Sequence, residues 1–260
     1  MIHDPMIKSR QPLFLDFDGV LCDSVDECYV SSWLAYERMN GSSPTVADAK
    51  RATTSGIAES ENRRIFGGYR PYIRRGADYV LLQQCVASGA RISSQADFDR
   101  MEEQAGRNRM EELHRLFYAA RKEILDQDRP YWVTLNKPYD GLVPALHGAA
   151  PHAAVHIIST KKSEYIAEIL ASWGIAWPFE RLHYSGTDDK GEIISGVLDG
   201  AAQGALLVDD QIDHLQRLKG GIEGRLASWG YVKPEWLSQD QIPVIALTDL
   251  IALLGAYTEK

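Results

Sequence analysis

Four short apolar runs along the chain stop abruptly. Leu13-Phe14-Leu15-Asp16-Phe17 ends at Asp18-Gly19, residues 153–158 end at Ser159-Thr160, residues 205–208 end at Asp209-Asp210, and residues 243–247 form the fourth run. Runs bounded in this way read as buried strands. Shorter candidates lie at 181–184 and 225–228. Between them the apolar period becomes helical. Ile166, Ile169, Leu170 and Trp173 recur after Ser159, with Gly174 placed to end the helix. Ile193, Ile194, Val197 and Leu198 follow Lys190 and stop at Gly200; Ile212, Leu215 and Leu218 follow Asp210 and stop at Gly220-Gly221. Strand alternating with helix predicts an α/β, Rossmann-like parallel sheet covered on both faces. In such sheets a ligand sits beyond the carboxyl ends of the strands, where these polar residues fall.

The middle of the chain differs. From Cys22 to Lys137 there is no strong strand pattern. Leu113, Leu116, Phe117, Ala120 and Ile124 share one face of a helix predicted over 109–125, which Pro130 is expected to end. Residues 25–40 also read as helix, stopping at Gly41. The pattern predicts a helical domain, 22–137, inserted after the first strand of a core made by 1–21 and 138–260. The chain returns to that core near Pro138-Tyr139-Asp140-Gly141.

Composition narrows the classes. A chain of 260 residues accommodates a core plus an accessory domain. With 45% hydrophobic and 25% charged residues it is globular rather than disordered. A net charge of −8 speaks against a general nucleic-acid binder, so no nucleic-acid partner is expected. Any pull on an anionic substrate must then be local. Cys22, Cys28 and Cys85 form no CxxC pair, which suggests neither a disulfide framework nor a zinc site. No run approaches the ~20 apolar residues of a membrane span, and no leader pattern is seen. The cytoplasm is the expected compartment, with no membrane partner. The pattern specifies no oligomeric state.

The candidate chemistry sits at the strand ends. Asp16 and Asp18, two apart, aim the same way if the backbone stays extended, and Gly19 permits a sharp turn. One carboxylate can attack while the other handles a proton; a polar loop ending a strand is the plain alternative. Ser159 can donate to a phosphoryl oxygen or cap the following helix, and Thr160 offers the same two roles. Lys190 opens a helix, against the helix dipole, and could pair with phosphate and Asp16; a surface lysine is the alternative. Asp209, with Asp210 and Asp213 after it, can hold Mg²⁺, a hard ion that prefers oxygen, or cap and solvate a helix.

Taken together these residues resemble the haloacid dehalogenase superfamily. Asp16-Phe17-Asp18-Gly19-Val20 is similar to its first motif, the run ending in Ser159 to its second, Lys190 to its third, and Asp209-x-x-x-Asp213 to its fourth, with Val208 where many relatives have Gly. The resemblance covers nearly all of the core, about half the chain, and the helical insert resembles the family's α-helical cap. It implies a Mg²⁺-dependent phosphatase acting on a small phosphorylated metabolite. Asp16 would be the nucleophile and Asp18 the proton carrier. Ser159, Thr160 and Lys190 would bind the phosphoryl group. The ion would be held by Asp16, the Asp18 carbonyl and Asp209, with Asp210 and Asp213 as further candidates.

A phosphomutase of the same superfamily uses the same groups. A metal-free dehalogenase fits less well, because such relatives lack the second Asp. A phosphonate hydrolase would need a cap lysine, for which Lys50 is the sole early candidate. A non-catalytic binding protein would not need Asp16, Asp18, Ser159, Lys190 and Asp209 all together. Arg63, Arg64, Arg70, Arg74 and Arg75 cluster in the insert and could grip a second anionic group, although a solvated face is the simpler reading. His152, His156, His183 and His214 show no metal-ligand spacing and read as core or surface residues.

Overall fold

The structure is a computed structural model that describes residues 11–53 and 60–258. The chain divides into two compact units. One comprises the described residues up to Asp23 together with those from Lys137 onward; the other is Ser24–Asn136.

The first unit carries eight strands: β1 (Leu13–Leu15), β2 (Cys22–Asp23), β3 (Lys137–Pro138), β4 (Val155–Ser159), β5 (Leu182–Tyr184), β6 (Leu206–Asp209), β7 (Glu223–Ala227) and β8 (Val244–Ile245). Six form a parallel sheet in the order β5-β4-β1-β6-β7-β8, and β2 pairs antiparallel with β3. The sheet is covered because its strands are apolar on both faces. Phe14, Ile158, Leu207 and Leu226 join Ile194 in one buried cluster. The alternate positions Leu13, Leu15, Val155, Ile157, Leu206 and Val208 are also fully buried. Each such side chain contributes roughly 1.5–3 kcal/mol.

The register sets the site. Leu15 lies opposite Ile157 on one side and Val208 on the other, so Asp16 leaves the sheet level with Asp209. The chain first builds β4 and β5 on one side of β1, then crosses to β6, β7 and β8 on the other. The order reverses between β1 and β6, and a crevice opens at such a point beyond the carboxyl ends.

Two boundaries differ from the sequence pattern. The run at 243–247 yields only Val244–Ile245 as strand, because Ala246 caps a helix, Leu247–Gly255, that takes over its last residue. Pro130 does not end the long helix, which spans Arg107–Gln127. It opens the next one, Arg129–Thr134, in whose first turn a missing N–H is harmless.

The second unit is helical, with no strand among its described residues. Phe66, Leu82, Phe98, Leu113, Phe117 and Trp132 are fully buried in it. Glu27, also without exposure, accepts hydrogen bonds from Arg121 Nε (2.8 Å) and Nη2 (2.7 Å), Trp132 Nε1 (3.0 Å) and Ser31 Oγ (2.9 Å). Four of the clustered arginines are matched by carboxylates: Arg63 by Asp26, Arg64 by Glu61, Arg74 by Asp99, and Arg75 by Asp78 and Glu102. Arg70 is buried, its guanidinium 5.2 Å from the Tyr79 ring centre. Lys50 pairs with Asp128. Among the described residues of the chain, no helix is long and apolar enough to cross a membrane.

Candidate active site

Asp16 is fixed to the rim of the sheet by its backbone. Its N–H donates to Val208 O (2.9 Å), and its Oδ1 accepts from Phe17 N (2.7 Å). The chain then turns at Gly19, whose φ of +86° suits glycine. A Cβ there would stand 2.2 Å from Asp210 Oδ2. A Cβ on Gly230 would stand 2.5 Å from Asp210 Cβ, and Tyr231 N donates to Asp210 Oδ2 (2.8 Å). Two bare glycines and one amide therefore cradle the Asp210 side chain against the turn that follows Asp16.

Lys190 begins the helix Lys190–Val197. Its Nζ lies 2.7 Å from Asp209 Oδ2 and 3.1 Å from Asp16 Oδ1, with 3% of the residue exposed. A cation at a helix N-terminus is unfavourable. Asp189 offsets it by accepting from the amides of Gly191 (2.7 Å) and Glu192 (3.2 Å). Asp209 is engaged at both oxygens. Its Oδ1 accepts from Gln211 N (2.8 Å), and its Oδ2 is shared by Lys190 and His214 Nδ1 (2.9 Å).

Ser159 is fully buried at the end of β4, its Oγ accepting from Lys161 N (3.2 Å). The N-cap of the next helix, Ser163–Ser172, is Lys162, so neither Ser159 nor Thr160 caps it; Thr160 is exposed. Asp18 meets a lysine that the sequence reading passed over: Lys161 Nζ is 2.8 Å from Asp18 Oδ1.

Charge follows from this packing. Burial pushes the Asp16 carboxyl up to about 6, helped by Asp209 and Asp18 and opposed by Lys190 and His214. Burial acts on Asp209 in the same direction, but Lys190 and His214 outweigh it and hold Asp209 far below the usual carboxylate range. Burial would lower Lys190; Asp16 and Asp209 raise it instead. His214 is raised as well, by Asp209 against burial. Asp209 and Lys190 are thus a settled ion pair.

Asp16, Asp209 and Asp210 bring carboxylate oxygens within 4.8 Å of one another, all three residues being buried. Carboxylates packed so closely repel unless a cation lies among them. An all-oxygen donor set of this kind suits a hard divalent ion such as Mg²⁺. Each of the three also meets protein groups: Asp16 meets Phe17 N and Lys190, Asp209 meets Gln211 N, Lys190 and His214, and Asp210 meets Tyr231 N. Asp213, half-buried in the helix Ile212–Gln216, is not part of the group, and Asp18 adds no carboxylate to it.

The comparisons agree with this architecture. The chain is similar to a haloacid dehalogenase-like family hydrolase from Streptococcus pneumoniae, with 13% identity over 95% of this chain and 99% of that one and a TM-score of 0.57. It is similar to a predicted phosphoglycolate phosphatase from Haemophilus somnus (14% identity, 95% and 99% covered, TM-score 0.56). A third such structure is a predicted phosphatase from Clostridium acetobutylicum (12% identity, 92% and 95% covered, TM-score 0.54). No protein-family model matches the sequence, and no curated protein does. The chain therefore has the fold of the haloacid dehalogenase-like hydrolases, with the α/β parallel sheet that the sequence pattern predicts.

Proposed function

We propose that the chain is a Mg²⁺-dependent phosphatase that hydrolyses a small phosphorylated metabolite. The observation that carries this reading is Lys190 held between Asp16 and Asp209, with Asp210 alongside, where the strand order reverses. Asp16, Asp210 and the Asp18 carbonyl would hold the ion. When bound, Mg²⁺ supplies the positive charge that lets a carboxylate approach a phosphate dianion.

The chain's own residues do the rest. The Asp16 carboxylate attacks phosphorus, an O–P bond forms, and the ester O–P bond breaks. Asp18 gives its proton to the departing alkoxide. It then takes a proton from the water that attacks the aspartyl-phosphate, and phosphate leaves as the Asp16–phosphorus bond breaks. Lys190 restrains Asp16 and, with Ser159, balances charge on the non-bridging oxygens. His214 and Gln211 N hold Asp209 facing Lys190.

A panel of phosphate monoesters, run with Mg²⁺ and with a chelator, tests the reading. Phosphate release should require Mg²⁺ and vanish in Asp16→Asn, with the variant still folded. Release by Asp16→Asn at the wild-type rate, or none from any ester with the wild type, overturns it.

A further inference from the structure

We propose that Lys161 is a positioning residue for the proton carrier: it orients the Asp18 carboxyl group and thereby governs how well the leaving group is protonated. This rests on the phosphatase reading above.

The geometry is specific to this pair. Lys161 stands two residues after Ser159, in the loop between β4 and the helix Ser163–Ser172. Its backbone N–H donates to Ser159 Oγ (3.2 Å), which ties the loop to the strand end. Its side chain is 6% exposed, its Nζ lies 5.5 Å from the centre of the Phe17 ring, and the same Nζ is 2.8 Å from Asp18 Oδ1. Phe17 is itself fully buried and stacked on Trp173, with ring centres 5.8 Å apart. The ammonium is therefore packed on a rigid aromatic floor, and that floor is the residue between Asp16 and Asp18. With Asp18 protonated, the ammonium still holds Oδ1 as an acceptor, which leaves Oδ2 to carry the proton toward the leaving group. Lys190 is committed to Asp16 and Asp209, so the two lysines divide the carboxylates of the first motif: one restrains the attacking group, the other the proton carrier.

A residue that acts through Asp18 affects only substrates whose leaving group needs a proton. An alkyl phosphate releases a strongly basic alkoxide and depends on the acid. A p-nitrophenyl phosphate releases a stable anion and depends on it little. The ratio kcat/KM reports the step in which the leaving group departs. It is to be measured for both esters, with saturating Mg²⁺, in the wild type, Lys161→Met, Lys161→Arg, Asp18→Asn and the Lys161→Met/Asp18→Asn double variant.

The expected result is that Lys161→Met loses at least tenfold more on the alkyl ester than on the nitrophenyl ester. Lys161→Arg should restore most of that difference, and the double variant should be no worse on the alkyl ester than Asp18→Asn alone. Equal losses on both esters would overturn the proposal in favour of direct contact with the phosphoryl group, and so would additive losses in the double variant. If Lys161→Met does not fold, the arginine variant decides: a loss on the alkyl ester as large as that of Asp18→Asn refutes the role. A wild type inert toward both esters removes the phosphatase reading and this proposal with it, whereas an active wild type with an unselective Lys161→Met removes only the proposal.

Discussion

Gly230→Ala isolates the packing that holds Asp210. Gly230 does not have a positive φ, so alanine fits its backbone without strain. The new Cβ, however, would meet Gly19 O at 2.3 Å and Asp210 Cβ at 2.5 Å. Neither is the far end of a flexible side chain, so relief requires the turn after Asp16, or the start of the helix after Asp210, to move. Overpacking of this kind costs about 1–3 kcal/mol, and backbone contact places this case near ~3 kcal/mol. At about 2–4 °C per kcal/mol, the melting temperature should fall by roughly 6–12 °C. Because the displaced atoms carry Asp210, Mg²⁺ affinity should fall too, read by calorimetric titration of the variant below its melting temperature. Gly196→Ala is the control: nothing lies within 4 Å of its added Cβ, and the helix should gain ~0.5 kcal/mol. A Gly230→Ala protein with unchanged melting temperature and unchanged Mg²⁺ affinity would refute the claim that the two glycines shape the cradle.

Two further predictions concern stability. His156, whose ring stacks on Phe14 with centres 4.7 Å apart, is lowered to about 4 by burial first and by His183 and Arg181 next. A lowered histidine stabilises the fold above its unfolded value near 6.5, and that contribution is lost as pH falls toward 4. Discounted for the partly exposed ring, about 1 kcal/mol should disappear between pH 7 and pH 5. Urea midpoints at the two pH values should differ less in His156→Phe than in the wild type, and an unchanged difference would count against this cause. In the helical unit, Glu27→Ala leaves the Arg121 guanidinium without its bidentate partner and should destabilise the protein by about 3–5 kcal/mol in chemical unfolding; a loss under 1 kcal/mol would mean that the pair is not desolvated as described.

The parts of the fold that were legible were those set by one-dimensional periodicity. Apolar runs at Leu13, Val155 and Leu206 are strands because both faces of the sheet are covered, and their last polar residues necessarily land on one rim. Side-chain pairing was less legible, because it depends on which loops meet. Lys161, in a Ser-Thr-Lys-Lys run, looks like a solvated lysine until the turn after Asp16 is placed beside it. His214 lies five residues from Asp209, a spacing that is neither helical nor extended. It reaches Asp209 because the chain bends at Gln211 before the helix begins. The spacing of Asp209 to Asp213 suggested a shared role. The helix instead carries Asp213 away from the group, and Asp210 joins Asp16 and Asp209 in it.

The central claim is that the Asp16 carboxylate takes the phosphoryl group. The most direct measurement is a rapid acid quench during turnover with Mg²⁺, followed by mass spectrometry of the proteolytic peptides. The account predicts one added phosphoryl group on the peptide carrying Asp16, absent from Asp16→Asn and hydrolysed on return to neutral pH. A phosphoryl group trapped on any other residue, or undiminished turnover in Asp16→Asn, would contradict it.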